Sequence, residues 1–242
     1  MRLGIISDVH GNLIALEAVL ADLRRRTPDA VVNLGDCVTS PLWPRETFEL
    51  LDTLRLPSVR GNHDRWIAAP PPEETSPTVV FAHDALTAGQ RASLAGLPAS
   101  LAIGDSILAV HGTPASDVEY LLEEKVDERL TLATEAKLSA RLEGVAAGLI
   151  LCGHSHHQHA AWASGGRLVV NPGSVGHPRS VDNAHRARVE AGSPHARYAL
   201  ATRRAGQWTI EFVALAYEWT EAAARARSVG RGDWADAFLG PS

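Results

Sequence analysis

Residues 3–12 read Leu-Gly-Ile-Ile-Ser-Asp-Val-His-Gly-Asn. The apolar run 3–6 is bounded by polar residues and too short for a helix, so it reads as a buried strand. Asp8 and His10, two metal-ligand side chains, stand at its end, and Gly11 turns the chain. Leu13, Leu16, Leu20 and Leu23 then recur at helical spacing. Strand, ligand-bearing turn and helix put a carboxylate and an imidazole at the carboxyl edge of a sheet, where open α/β folds bind their ligands.

The same device recurs along the chain. The strand candidate 30–34 ends at Gly35-Asp36, and Val59-Arg60 delivers Gly61-Asn62-His63-Asp64. The apolar run 107–110 delivers His111, 149–152 delivers Gly153-His154-Ser155-His156, and 168–170 delivers Asn171-Pro172-Gly173-Ser174. Between these lie a charged break at 24–28 and a helix through Phe48, Leu51 and Leu54. A proline-rich surface loop is expected over 68–77, then a helix over 82–94 and a helical stretch, broken once, over 118–142. Segments 198–202 and 208–213 pattern as a hairpin around Ala205-Gly206, and a polar, alanine-rich helical tail begins near residue 218.

At 242 residues and 45% hydrophobic, the chain has material for one substantial core, and 1–242 is expected to form one α/β domain. The formal net charge of -5 provides no basic field, so no stable nucleic-acid binding is expected. Phosphate substrates stay open, because bound dications supply local positive charge. Cys37 and Cys152 lack paired-cysteine zinc spacing and read as buried thiols of a reducing compartment. No basic-then-apolar leader precedes Leu3 and no apolar run is long enough to span a bilayer, so the expected location is the cytoplasm.

Singly, each strand-end motif is weak. Together they concentrate imidazole and carboxylate at one sheet edge, and burying those groups is unfavourable unless cations compensate them. Asp8, His10, Asp36, Asn62, His111, His154 and His156 are seven ligand candidates, too many for one ion with open positions. Imidazole, carboxylate and one amide oxygen suit divalent transition metals, with Mn²⁺ first and Fe, Zn, Co or Ni as alternatives, better than an all-oxygen Mg or Ca site. His157 and His159 read as surface residues, and His83-Asp84 imitates a metal motif inside a helix.

The ordered set Asp-x-His, Gly-Asp, Gly-Asn-His-Asp, a lone His and Gly-His-x-His resembles the calcineurin-like metallophosphoesterases over residues 8–156. Asn171-Pro-Gly-Ser-Val-Gly176 and Pro178-Arg179 are similar to the smaller bacterial branch of that family. The resemblance implies two mixed β-sheets packed as a four-layer sandwich flanked by helices. It implies Asp8, His10 and His156 on a first ion, Asn62, His111 and His154 on a second, and Asp36 bridging both. His63 then contacts the phosphate and assists the leaving group, while Asp64 shapes the turn.

The implied reaction is hydrolysis of a small phosphate ester by a hydroxide held between ions about 3.5 to 4 Å apart. Phosphoprotein and dinucleoside-tetraphosphate branches carry an Asp-Arg pair shortly after Gly-Asp; here Cys37-Val38-Thr39-Ser40-Pro41 follows instead. The departure favours small nucleotide-like phosphodiesters, cyclic nucleotides among them. The alternatives are a phosphomonoesterase or nucleotidase, a dinucleoside polyphosphate hydrolase, and a non-catalytic scaffold, the last opposed by the complete ligand set. The stretches 66–77 and 180–195 are candidate selectivity loops, the second read first as solvated loop.

Overall fold

The computed structural model describes residues 1–68, 76–127, 129–182, 187–190 and 192–239. In chain order the first half runs β1 (Arg2–Ile6), α1 (Leu13–Arg26), β2 (Ala30–Asn33), α2 (Pro44–Leu54), α3 (Asn62–Ala68), α4 (Pro77–Ala85), α5 (Ala88–Ala95), β3 (Ser100–Ile103) and β4 (Ile107–Val110). The middle holds β5 (Glu123–Val126), β6 (Arg129–Leu132), α6 (Glu135–Arg141), β7 (Leu149–Leu151), β8 (Gln158–Ala163) and β9 (Arg167–Pro172). The chain closes with β10 (Arg179–Asp182), β11 (Ala187–Glu190), β12 (Ala196–Arg204), β13 (Gln207–Leu215), α7 (Trp219–Ser228) and α8 (Gly232–Leu239).

Two mixed sheets dominate, ordered β13-β12-β1-β2 and β3-β4-β7-β9-β8. Within them β1/β2, β4/β7 and β7/β9 are parallel, and the remaining neighbours are antiparallel. The two-residue side-chain period of a strand builds the layers. Leu3 and Ile5 of β1 and Ala199 and Ala201 of β12 turn inward to meet Ile107, Ala109, Leu149, Leu151, Leu168 and Val170 of the opposite sheet. Ile6, Tyr198 and Leu200, one residue out of phase, face Leu16, Val19, Leu20 and Leu23 of α1, with α2 alongside. On the far side Val110, Ile150 and Val169 pack under Leu138 and Leu142 around α6. Each fully buried Leu- or Ile-sized side chain contributes about 1.5–3 kcal/mol. Helix, sheet, sheet, helix is the expected four-layer sandwich.

Several local expectations need correction. The stretch 118–142 is not one broken helix: β5 and β6 form a two-stranded ribbon, and only α6 is helical. Asp127 turns the ribbon at φ 49°, and the Arg141 guanidinium donates to the Leu121 and Glu123 carbonyls at 2.8 and 2.9 Å. Cross-strand pairing and this clamp outweigh the helix preference of the Glu and Leu residues. The expected helix over 82–94 is two helices. Leu86 is extended between them, and Thr87 opens α5 with a capping box to Gln90, a Thr-x-x-Gln signal visible in the sequence.

The charged break begins later than expected, since α1 runs through Arg26 and stops at left-handed Thr27. The loop expected over 68–77 is bounded by α3, which includes Trp66 and Ala68, and by α4, which starts at Pro77; residues 69–75 lie outside the described residues. Part of 180–195 is the ribbon β10–β11 and not a plain loop, with 183–186 and 191 outside the described residues.

Beyond the hairpin β12–β13, α7 and α8 seal the loop after β2. Ala222, Ala223, Ala226, Trp234, Ala235 and Phe238 close around Leu42, and Arg225 Nε donates to the Leu42 carbonyl at 3.0 Å.

Candidate metal centre

The carboxyl ends of β1, β2, β4, β7 and β9 come to one edge, and backbone hydrogen bonds sew their exits together. Asp8 N–H donates to Gly35 O (3.0 Å), His10 N–H to Asp36 O (2.9 Å) and Gly153 N–H to His111 O (2.7 Å). Val175 N–H donates to Ser7 O (3.0 Å) and Gly176 N–H to Asp8 O (3.1 Å), tying the exit of β9 to that of β1 across the two sheets.

This sewing holds unusual backbone. Nine non-glycine residues among the described ones have positive φ, and five of them are Asp8 (53°), His10 (45°), Asp36 (54°), His154 (67°) and His156 (59°). The other four, Thr27, Arg55, Asp127 and Ala205, sit in helix caps and tight turns. Left-handed backbone costs an L-residue about 1–2 kcal/mol, so its concentration on ligand candidates marks a functional edge. Glycines make room between them. A Cβ on Gly61 would stand 2.0 Å from Asp36 Oδ1, and one on Gly153 would stand 2.1 Å from Ser7 Oγ and 2.8 Å from Asp8 Oδ2.

Two groups of potential ligand atoms result among the described residues: Asp8, His10 and His156, and Asp36, His111 and His154, each within 4.8 Å of one another. Asn62 joins the second, its Oδ1 lying 3.0 Å from His111 Nε2. Asp36 Oδ2 stands between the groups, 3.4 Å from His111 Nε2 and 3.9 Å from His10 Nε2. All seven ligand candidates are therefore brought together. His63 sits beside them at the start of α3, with its N–H held by Asp36 Oδ1 at 2.9 Å and its ring 5.4 Å from that of His10. The Asp64 carboxylate accepts the N–H groups of Asp36, Cys37 and Gly61, each at 2.9 Å, and so shapes the turn. His83 lies in α4 beside Asp84, and His159 pairs with buried Glu123 at 3.2 Å; neither belongs to the two groups.

Backbone carbonyls set the histidine tautomers. Nδ1–H of His10 donates to Thr39 O (3.2 Å), that of His111 to Leu34 O (2.7 Å) and that of His156 to His177 O (3.2 Å), while Nε2–H of His154 donates to Val118 O (3.1 Å). With both Nδ1 atoms committed to carbonyls, the Nε2 atoms of His10 and His156 face each other across 3.1 Å. Both face Asp8 Oδ1, at 3.8 and 3.3 Å, which is buried and accepts no hydrogen bond. Two imidazole nitrogens and an unbonded carboxylate oxygen turned toward one buried point fit a cation. Carbonyls that accept the other N–H of an imidazole ligand are the usual outer shell of a metal site.

The electrostatics of the two groups differ. Burial alone would raise the Asp8 carboxyl, but the adjacent His156 and then His111 bring it to about 2. Burial, reinforced by His156, drives His10 down to about 3. Burial also opposes charge on the second pair, yet Asp36 raises His111 to about 10, while His111 and His63 hold Asp36 well below the ordinary carboxylate range. His63 is lowered, first by burial and then by His111 and His156 against the pull of Asp36.

Some neighbours carried no readable signal in the chain. His177 is buried, and its ring stacks on Trp234 of α8 at 3.9 Å, 5.8 Å from the His10 ring. Tyr120 stacks on His154 at 4.8 Å. The orienting carbonyls belong to Leu34, Thr39, Val118 and His177, and a carbonyl has no residue identity to read.

A family model described as the calcineurin-like phosphoesterase superfamily domain matches residues 1–193. An uncharacterized protein of Methanocaldococcus jannaschii, MJ0912, is 27% identical over 201 residues, covering 73% of this chain and 77% of that protein. A crystal structure of a metallophosphoesterase from Sphaerobacter thermophilus is similar with TM-score 0.72 and 28% identity, covering 97% of this chain and 100% of that one. Hypothetical protein PH1004 from Pyrococcus horikoshii OT3 shares the fold with TM-score 0.74 at 22% identity, over 94% of this chain and 92% of its own.

Proposed function

The chain belongs to the calcineurin-like phosphoesterase superfamily, and from that premise we propose that it is a dinuclear, metal-dependent hydrolase of small phosphodiesters, nucleotide-like ones foremost. The single observation that carries a two-ion reading is the position of Asp36 Oδ2, which lies between the two ligand clusters. Asp8, His10 and His156 would hold one ion, Asn62, His111 and His154 the other, and Asp36 both. The donor set is imidazole-rich, which favours Mn²⁺, Fe, Zn, Co or Ni over Mg²⁺. Bound divalent ions supply Lewis-acid charge for the phosphoryl oxygens and a water acidic enough to attack at neutral pH.

The chain's own residues supply the remainder. The carbonyl-braced histidines hold their ring planes, so little reorganisation accompanies reaction. Hydrolysis forms a phosphorus–oxygen bond from water and breaks the ester bond, and the departing alcohol oxygen needs a proton. His63 is placed to give it. Its Nδ1 is buried and makes no hydrogen bond, while the side chain as a whole is partly exposed. Burial lowers its affinity for a proton in the free protein, and an arriving phosphate anion restores it. The proton lost to the alcohol is regained from solvent.

Charge also bears on ester class. The loop after Asp36 supplies a carbonyl from Thr39 and an apolar anchor from Leu42, with no arginine between Asp36 and Pro44. Arg65, beside His63 in the chain, is committed to Asp117 by two bonds of 2.8 Å. A monoanionic diester asks for less cationic grip than a dianionic monoester, which supports the diesterase reading. Two buried free thiols, Cys37 and Cys152, fit a reducing compartment such as the cytoplasm. No helix among the described residues is long and apolar enough to cross a membrane.

The deciding experiment assays one Mn²⁺-loaded preparation against bis(4-nitrophenyl) phosphate and 4-nitrophenyl phosphate. A higher kcat/KM on the diester is expected. Preference for the monoester would replace this reading with a phosphatase or nucleotidase, and inertness toward both, with the ions bound, would favour a binding scaffold.

A further inference from the structure

The site has an aromatic side chain that the hydrolytic machinery leaves unused. Trp66 follows His63 by three residues on α3, the spacing that brings two side chains to one helix face. The residues between and after turn elsewhere: Asp64 and Ile67 are buried, and Arg65 reaches Asp117. The Trp66 and His63 rings are 4.7 Å apart, and the His10 ring lies 5.4 Å from that of His63. His63 thus touches both a ring of the first cluster and Trp66.

Tyr120 and Trp234 also touch site histidines, but they are buried and already stacked, at interplanar angles of 26° on His154 and 23° on His177. Trp66 meets His63 at 62°, without face-to-face stacking, and is 37% exposed. An exposed indole against the ring of His63 offers a flat apolar surface at the site. Flat π-systems stack on such a surface with little dependence on which ring they carry.

Building on the diesterase reading, we propose that Trp66 is the stacking platform for the leaving group, selecting phosphodiesters whose departing alcohol carries an aromatic ring, as a nucleoside does. A hydrogen-bonding pocket would be needed to choose one base over another, so the selectivity is for a base as a class.

The test compares a dinucleotide with a counterpart whose departing sugar lacks its base, because the two leaving alcohols are then nearly equal in acidity. The base-bearing substrate should be preferred about tenfold to a hundredfold in kcat/KM, mostly through KM. Trp66→Ala should bring that ratio toward one with metal content and Tm retained, and Trp66→Phe should keep most of it. Cleavage of both substrates with a ratio of one, or a ratio indifferent to Trp66→Ala, overturns the proposal. If neither dinucleotide is cleaved, the diesterase reading fails and binding decides the platform. Free adenosine should quench emission from the wild type more than from Trp66→Phe, and equal quenching overturns the proposal.

Discussion

Each cluster sets one carboxylate with two imidazoles, the second adding Asn62, yet His10 and His111 behave oppositely toward a proton. In the first, His10 faces another imidazole across 3.1 Å, is buried, and is driven down to about 3, so it is neutral at pH 7. In the second, His111 faces the Asp36 carboxylate at 3.4 Å and is raised to about 10, so it is charged at pH 7. Access differs as well. Asp8, His10 and His156 are buried, whereas His154 is partly exposed. An ion at the first cluster would find His10 already without its proton, while an ion at the second would have to displace the proton of His111. The difference follows from the partner each ring meets and not from the ring itself.

The largest expected effect removes the group the clusters share. Asp36→Ala should cost about four orders of magnitude or more in kcat/KM and reduce the bound metal at both positions, measured by elemental analysis of dialysed protein. Loss of one ion with activity retained would show that Asp36 serves only one cluster. His63→Ala should lower kcat about a hundred- to ten-thousandfold with both ions in place. Undiminished turnover would remove His63 from the proton-transfer role.

A third experiment addresses the asymmetry itself. Because His111 must lose its proton before ligating, binding of the second ion should strengthen about tenfold per pH unit between pH 7 and 9, below the His111 value of about 10. About one proton should be released, read by calorimetry in buffers of different ionisation enthalpy. Binding of the first ion gains no such slope from His10, whose proton is already gone at neutral pH. Equal slopes would erase the distinction drawn above.

Smaller effects sharpen it. Gly153→Ala would press a methyl group against Ser7 and Asp8, so it should destabilise the fold by about 1–3 kcal/mol and weaken the first ion more than the second. Arg65→Ala breaks an exposed pair with Asp117 and should cost no more than about 1 kcal/mol by thermal denaturation.

Much of the site is legible in the chain because strands ending in ligand residues leave a local, periodic signature. Leu3 to Ile6 before Asp8, Leu149 to Leu151 before His154, and the glycines at 61 and 153 are recognisable without coordinates. The ribbon β5–β6 is not, because Glu123 to Leu132 is compatible with a helix until each strand finds its partner. Trp66 is likewise visible only as a tryptophan after a motif; its place on α3 beside His63 comes from the fold.

The residue types and their order along the chain thus determined which side chains stand at the sheet edge and that they are of metal-ligand type. Tertiary structure alone decided which nitrogen of each histidine faces inward, which histidine meets a carboxylate, and which aromatic ring stays open. Those outcomes depend on carbonyl directions and on partners up to 146 residues apart, as with His10 and His156. Long-range sheet pairing sets them, and no local pattern encodes it.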